Sequence, residues 1–96
     1  MDIIIGEHQL VAHRTAASDA VLLAETGCTA AEHAVMLDRD ASAYEVARAL
    51  RPMLADAPDL PTLVEMIEDA GRAPVRVETI ALLVSSTDVS QPAAVE

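Results

Sequence analysis

Ninety-six residues that are 52% hydrophobic yet contain no Phe, no Trp and a single Tyr, with no lysine and a formal charge of -10, describe one small, acidic, aliphatic domain. A chain of this size buries about 60–65% of its unfolded surface, so the core is modest and built from Ala, Val, Leu, Ile and Met. The acidic field repels phosphate backbones and there is no aromatic platform for stacking bases, which argues against direct nucleic-acid binding.

Cys28 is the sole cysteine, so an intrachain disulfide is ruled out and a reducing compartment is expected. No run approaches the ~18 apolar residues of a membrane span, and the start lacks the basic flank of a signal peptide. A cytoplasmic protein, or one assembled into a particle from the cytoplasm, is the expectation. The alanine-rich, arginine-only bias is the coding style of a high-GC bacterial or phage genome.

In chain order, Ile3-Ile4-Ile5 and residues 8–12 are β-rich stretches around Gly6-Glu7, a two-residue loop with Gly first, and so predict an N-terminal hairpin. In the second arm neither face is cleanly polar, which is compatible with cover on both sides. Residues 15–25 predict a first helix, with Ala20, Val21, Leu23 and Ala24 as its apolar arc and Gly27 as its C-terminal cap. Thr29 and Glu32 match a capping box, which predicts a short second helix to about Leu37, with a strand as the rival for His33 to Leu37.

Ser42 and Glu45 form a second capping box, followed by Val46, Leu50, Met53 and Leu54 on one helical face. Pro52 requires either a kink or an end to that helix near Arg51. Residues 56–61, with Pro58 and Pro61, read as a loop. Thr62 and Glu65 give a third capping box, with Leu63, Val64, Ile67 and Ala70 as the buried stripe, Gly71 as the stop and Pro74 beyond it.

Residues 75–84 fit both a strand and a helical face of Val77, Ile80, Ala81 and Val84; the β-branched content favours a strand paired with the hairpin. The fold class is therefore α+β over residues 1–84, a hairpin and a C-terminal strand covered by three to four short helices, with a mostly α arrangement as the alternative. Residues 85–96 are a polar tail, broken by Pro92, that composition makes mobile unless a neighbouring chain orders it. Val11-Ala12-His13-Arg14, with Ser18 soon after, resembles the Ala-His-Arg/Lys segment opening the first helix of BTB/POZ interaction domains. The likeness covers a small fraction of the chain, lacks that family's aromatic positions and is not adopted as an assignment.

His8, His13, Cys28 and His33 are four zinc-donor types in the first third of the chain, but strand periodicity sets His8 and His13 on opposite faces. Cys28 before a capped turn, with His33 nearby, has the elements of a thiolate nucleophile but no orienting third residue or family signature. Ser18, Ser85 and Ser86 lack a nucleophile-elbow context. Asp38 and Asp40 read as turn formers, with Asp40 a rival cap to Ser42. Glu65, Glu68 and Asp69 fall within about one helical turn, with neither an EF-hand loop nor a helical Glu-x-x-His pair to make them metal ligands.

No phosphate-binding glycine loop is present. The six arginines are scattered, and Arg48 and Arg51 are expected to pair with Glu45 or with a partner's carboxylates. With no catalytic constellation, no cofactor and no metal is expected. The leading expectation is an interaction module, a subunit or accessory protein of a larger, phage-type assembly that includes copies of itself. The alternative is an acidic inhibitor standing in for nucleic acid. In both, Asp56, Asp59, Glu65, Glu68 and Asp69 are the candidate partner-binding residues.

Overall fold

The structure is a computed structural model and describes residues 2–39 and 41–85. The element order is β1 (Asp2–Ile5), β2 (His8–Val11), α1 (Ala16–Thr26), α2 (Ala30–Arg39), α3 (Ala43–Leu50), a 3-10 turn (Arg51–Met53), α4 (Leu60–Ala70) and α5 (Arg72–Val84). This is an α+β arrangement whose sheet is a single antiparallel hairpin packed on helices. The expected roles of Asp40 as a cap, of Ser86 and of the rest of the tail lie outside the described residues.

The hairpin has the predicted loop. Ile5 pairs with His8 across Gly6-Glu7, and Gly6 adopts φ 63, the left-handed conformation a tight two-residue turn demands of its first residue. Among the described residues one face is covered, so the cover on both sides that the pattern allows is not found. Ile3 and Ile5 are fully buried, whereas Ile4 and Val11 remain exposed on the outer face. Beyond β2 the chain is clasped to the segment after the 3-10 turn. Ala12 bridges Leu54, the His13 amide donates to Met53 O at 2.8 Å, and the Ala55 amide donates to Val11 O at 2.9 Å.

Each helix boundary follows from local chemistry. Thr15 caps α1 through a reciprocal pair with Ser18, in which the Ser18 amide donates to Thr15 Oγ1 at 3.0 Å and the Thr15 amide to Ser18 Oγ at 2.8 Å. Gly27, at φ 78, closes the helix in the left-handed conformation. The Thr29–Glu32 and Ser42–Glu45 capping boxes both form, with the carboxylate-to-amide arms at 2.8 and 2.9 Å. The helical option holds for residues 33–37, and α2 runs on to Arg39. Pro52 ends α3 without a kink, because Arg51–Met53 tightens into a 3-10 turn that needs no amide from the proline.

Residues 75–84 form a helix, so the expected C-terminal strand is corrected, and the described residues hold five α-helices where three to four were anticipated. The buried side of α5 is Val75, Thr79, Leu82 and Leu83, whereas Val77 and Val84 point to solvent. Thr79 is completely buried at no polar cost because its hydroxyl donates to Val75 O at 2.7 Å. The third capping box is likewise corrected. α4 starts at Leu60 with Asp59 as its N-cap and Pro61 in its first turn, where a missing amide goes unmissed. Pro74 similarly sits in the first turn of α5, directly after the Gly71 break at φ 98, ψ 128.

α3 is the hub, with Ala43, Val46, Ala47, Ala49 and Leu50 buried among α2, α4 and α5. Its alanines let neighbouring helices approach closely, which suits a core without aromatics. Leu37, Leu63, Ile67, Val75 and Leu83 complete the interior with Ile3 and Ile5. α1 is peripheral, resting on the 3-10 turn and α2. Among the described residues no helix is long and apolar enough to cross a membrane.

Candidate functional site

The acidic candidates are gathered on and around α4. Helical spacing sets Glu65, Glu68 and Asp69 together on the face opposite Leu63 and Ile67, and all three are exposed. Asp59 caps the same helix, and Asp56 lies in the turn before it, both exposed. Asp69 also lines a shallow cleft of about 220 Å³ with Glu7 and His8 at the hairpin turn. Four of the five thus share α4 or its cap, and Asp56 stands apart in the preceding turn.

The arginines explain why this acidity is not neutralised. Arg14 bonds Asp19 through Nε and Nη2 at 3.1 and 3.0 Å and donates to Ser85 O. Arg51 donates to Pro58 O at 2.9 Å, Arg72 to Ala41 O at 3.3 Å and Arg76 to Leu37 O at 2.7 Å. Arg48 lies over the Tyr44 ring at 5.7 Å and reaches Glu25 O at 3.4 Å. The expected pairing of Arg48 and Arg51 with Glu45 is therefore corrected. Guanidinium groups satisfy the orphan carbonyls near the ends of α1, α2 and α5, where the helix dipole favours a cation. Arg14, Arg48 and Arg76 do this, and Arg51 and Arg72 bond carbonyls of connecting segments instead, so five of the six arginines are tied to backbone oxygens. Arg39 makes no such contact among the described residues.

His33 is buried beside the α1–α2 turn. Its Nε2 lies 2.8 Å from Thr26 Oγ1, and the Thr26 hydroxyl is also 2.7 Å from Leu22 O. The single hydroxyl proton goes to the carbonyl, which makes Nε2 the donor toward Thr26. Burial first, then the Arg48 guanidinium, lower the His33 pKa from the ordinary 6.5, with Glu32 opposing. Thr26 Oγ1 also accepts from the Cys28 amide at 3.2 Å, so this trio fastens the turn. No hydrogen bond joins the Cys28 thiol to His33 among the described residues, and the imidazole is committed to Thr26. Among those residues no three His, Cys, Asp or Glu side chains converge as a metal-binding group.

One surface was hidden by its own legibility. The apolar arc of α1 exists, but it faces outward: Val21 and Leu23 are 44% and 48% exposed, and Ala20 and Ala24 are exposed beside them. The helix is held instead by Ser18 and Leu22, the two residues it buries. Leu23 and Ala20 adjoin Ala31 of α2 along one depression, and Ala31 continues into a second, open depression of about 440 Å³ lined by Cys28, Glu32, Val35 and Met36. The sequence signal for this was the excess of apolar residues on α1 over what a single buried stripe uses.

Comparison with protein-family models, with curated proteins and with solved structures finds no match. The short BTB/POZ likeness is not extended, and the functional reading rests on the geometry.

Proposed function

We propose that the chain is a small acidic protein–protein interaction module, a subunit or accessory protein of a larger assembly that acts from the cytoplasm. The observation that carries this reading is the division of charge. Most arginines are engaged by backbone carbonyls, while Glu65, Glu68 and Asp69 face solvent along one helix with Asp59 exposed at its N-cap. Such a field steers a basic surface toward the module and raises the encounter rate, with a salt dependence set by the ~8 Å Debye length at physiological ionic strength. A phage-type or other particle with repeated subunits is the setting this composition fits.

The same row of carboxylates supports a second reading, an inhibitor that occupies the nucleic-acid groove of an enzyme with carboxylates in place of phosphates. Affinity capture from the native host, with wild type and the combined Glu65→Arg, Glu68→Arg, Asp69→Arg variant, tests both. A partner released by salt and lost on charge reversal supports interaction through α4, and competition of that partner by DNA or RNA selects the inhibitor. A partner retained equally by the variant refutes the α4 surface.

A further inference from the structure

We propose that the depression where α1, α3 and α4 meet is a recognition pocket for a carboxylate that a partner protein presents beside an apolar side chain. It rests on the reading that the chain works by protein contact, and it uses none of the acidic residues on α4.

The depression has a volume of about 290 Å³ and is lined by Glu25, Tyr44, Arg48, Arg51 and Leu60. Tyr44, Arg48 and Arg51 follow at i, i+4 and i+7, and Arg51 keeps right-handed helical angles at the end of α3, so the three form one stripe. Leu60, the first residue of α4, and Glu25, near the end of α1, complete the lining. Arg48 lies over the Tyr44 ring at 5.7 Å, and Arg51 is held by its Nε bond to Pro58 O at 2.9 Å. Both guanidinium groups are thus positioned before any ligand arrives, and both are half-buried.

Their charge is left unmet. A guanidinium has five N–H groups, and Arg48 uses one on Glu25 O at 3.4 Å while Arg51 uses one on Pro58 O. Among the described residues neither has a carboxylate at ion-pairing distance, in contrast to Arg14 with Asp19 at 3.0 Å. Glu25 lines the depression without pairing, and the Glu45 carboxylate is committed to the Ser42 amide at 2.9 Å. In a chain with sixteen acids and six arginines, two cations that share one depression without an anion leave a place for an acceptor from outside. A carboxylate, with two oxygens in a plane, suits the forked donors of arginine.

The rest of the molecule narrows the ligand. A net charge of -10 penalises each negative charge brought to the surface, which favours a carboxylate over a phosphate dianion. Tyr44, 48% exposed, and Leu60 offer apolar contact to the residue that carries the carboxylate or adjoins it. An aspartate or glutamate side chain next to an aliphatic residue meets both demands. Together with a basic surface drawn to α4, this second point of opposite charge would fix the orientation of the partner.

The test titrates the full chain with acetyl-Ala-Leu-Asp-Ala-amide, with the same peptide carrying Asn for Asp, and with inorganic phosphate, all at one ionic strength. Nuclear magnetic resonance reads the arginine Nε–H and Tyr44 ring signals. The Asp peptide should shift both and bind about tenfold more tightly than the Asn peptide. Arg48→Gln, which leaves the Arg51 bond to Pro58 intact, should abolish that preference, with circular dichroism as the check on folding. Glu25→Gln, which removes a like charge and no hydrogen bond, should tighten the Asp peptide several-fold.

Equal affinity for the two peptides, no binding of either, a preference that survives Arg48→Gln, or weaker binding to Glu25→Gln would each overturn the pocket. Phosphate that binds more tightly than the Asp peptide would overturn the carboxylate as its ligand. A host partner lost on α4 charge reversal but retained by Arg48→Gln would overturn the pocket while leaving the interaction reading in place.

Discussion

Leu22 and Leu23 are neighbours on α1 with opposite fates, and exchanging each for alanine separates them. Leu22 is 2% exposed and is the one large side chain by which the helix holds the fold, whereas Leu23 is 48% exposed. Removing the Leu22 isobutyl group forfeits about 2.4 kcal/mol of transfer free energy at ~0.8 kcal/mol per methylene, before any cavity term. A peripheral helix can settle inward, so Leu22→Ala should fall in the lower part of the usual range for buried leucine, at about 2–3 kcal/mol. At ~0.05–0.15 kcal/mol per residue the whole fold holds only about 5–14 kcal/mol, so the Tm should drop by about 8–24 °C. Leu23→Ala should stay within about 0.5 kcal/mol, because alanine is as good a helix former and little burial is lost. Urea unfolding followed by far-ultraviolet circular dichroism is the assay, since one tyrosine and no tryptophan leave little intrinsic fluorescence. A shifted midpoint at constant slope would isolate the stability change. If Leu23→Ala proved the costlier variant, α1 would be rotated by one residue and its outward arc would be its buried side.

Two further outcomes follow from single contacts. His33 is held neutral by burial and by Arg48, so the unfolded chain takes up a proton at a higher pH than the fold does. Its contribution to stability is complete above about pH 6.5 and is lost as the pH falls below that value. His33→Gln, whose amide can still donate to Thr26, should flatten the stability profile just below pH 6.5; an unchanged slope in urea melts as the pH falls through that value would refute the assignment. Gly27 and Gly71 both have positive φ, and an added Cβ at either meets no atom within 4 Å, so substitution probes backbone conformation alone. Gly27, at φ 78 and ψ 5, is left-handed helical and should accept Asn for under about 1 kcal/mol; Gly71, at φ 98 and ψ 128, lies outside that basin and should lose about 2 kcal/mol or more. Equal denaturation midpoints for the two variants would contradict this difference.

Local signals that close within a few residues were readable from sequence. Gly6-Glu7, the boxes at Thr29 and Ser42, and Gly27 all do what their neighbours dictate. Two misreadings came from residues with a second use. Thr79 alternates with Val75 and Val77 as in a strand, yet it lies one helical turn after Val75 and its hydroxyl is absorbed by Val75 O, so the β-branched pattern concealed the stripe of α5. Pro61 and Pro74 read as breakers but occupy first turns, where proline starts helices. The acidic surface was legible because α4 has a single buried stripe and its carboxylates fall opposite. The outward turn of α1 was not, since periodicity identifies an apolar arc without saying whether anything in the chain will meet it. The inward use of the arginines is a tertiary fact, fixed by carbonyls as distant in sequence as Leu37 is from Arg76.

The clasp that joins Ala12 to Leu54 and His13 to Met53 closes α1, α2 and α3 into a ring of chain anchored at one point. Once a ring is closed, enlarging it is inexpensive, at about 0.6 kcal/mol for each doubling of a flexible loop. The turn from Gly27 to Thr29 lies on that ring, but it is no flexible loop: an insertion there would leave the hairpin and the α3 hub tied while breaking the Cys28 amide's bond to Thr26 and the Thr29–Glu32 cap. Length at this point of the ring is therefore set by short-range bonds, and the clasp protects the frame without freeing the turn.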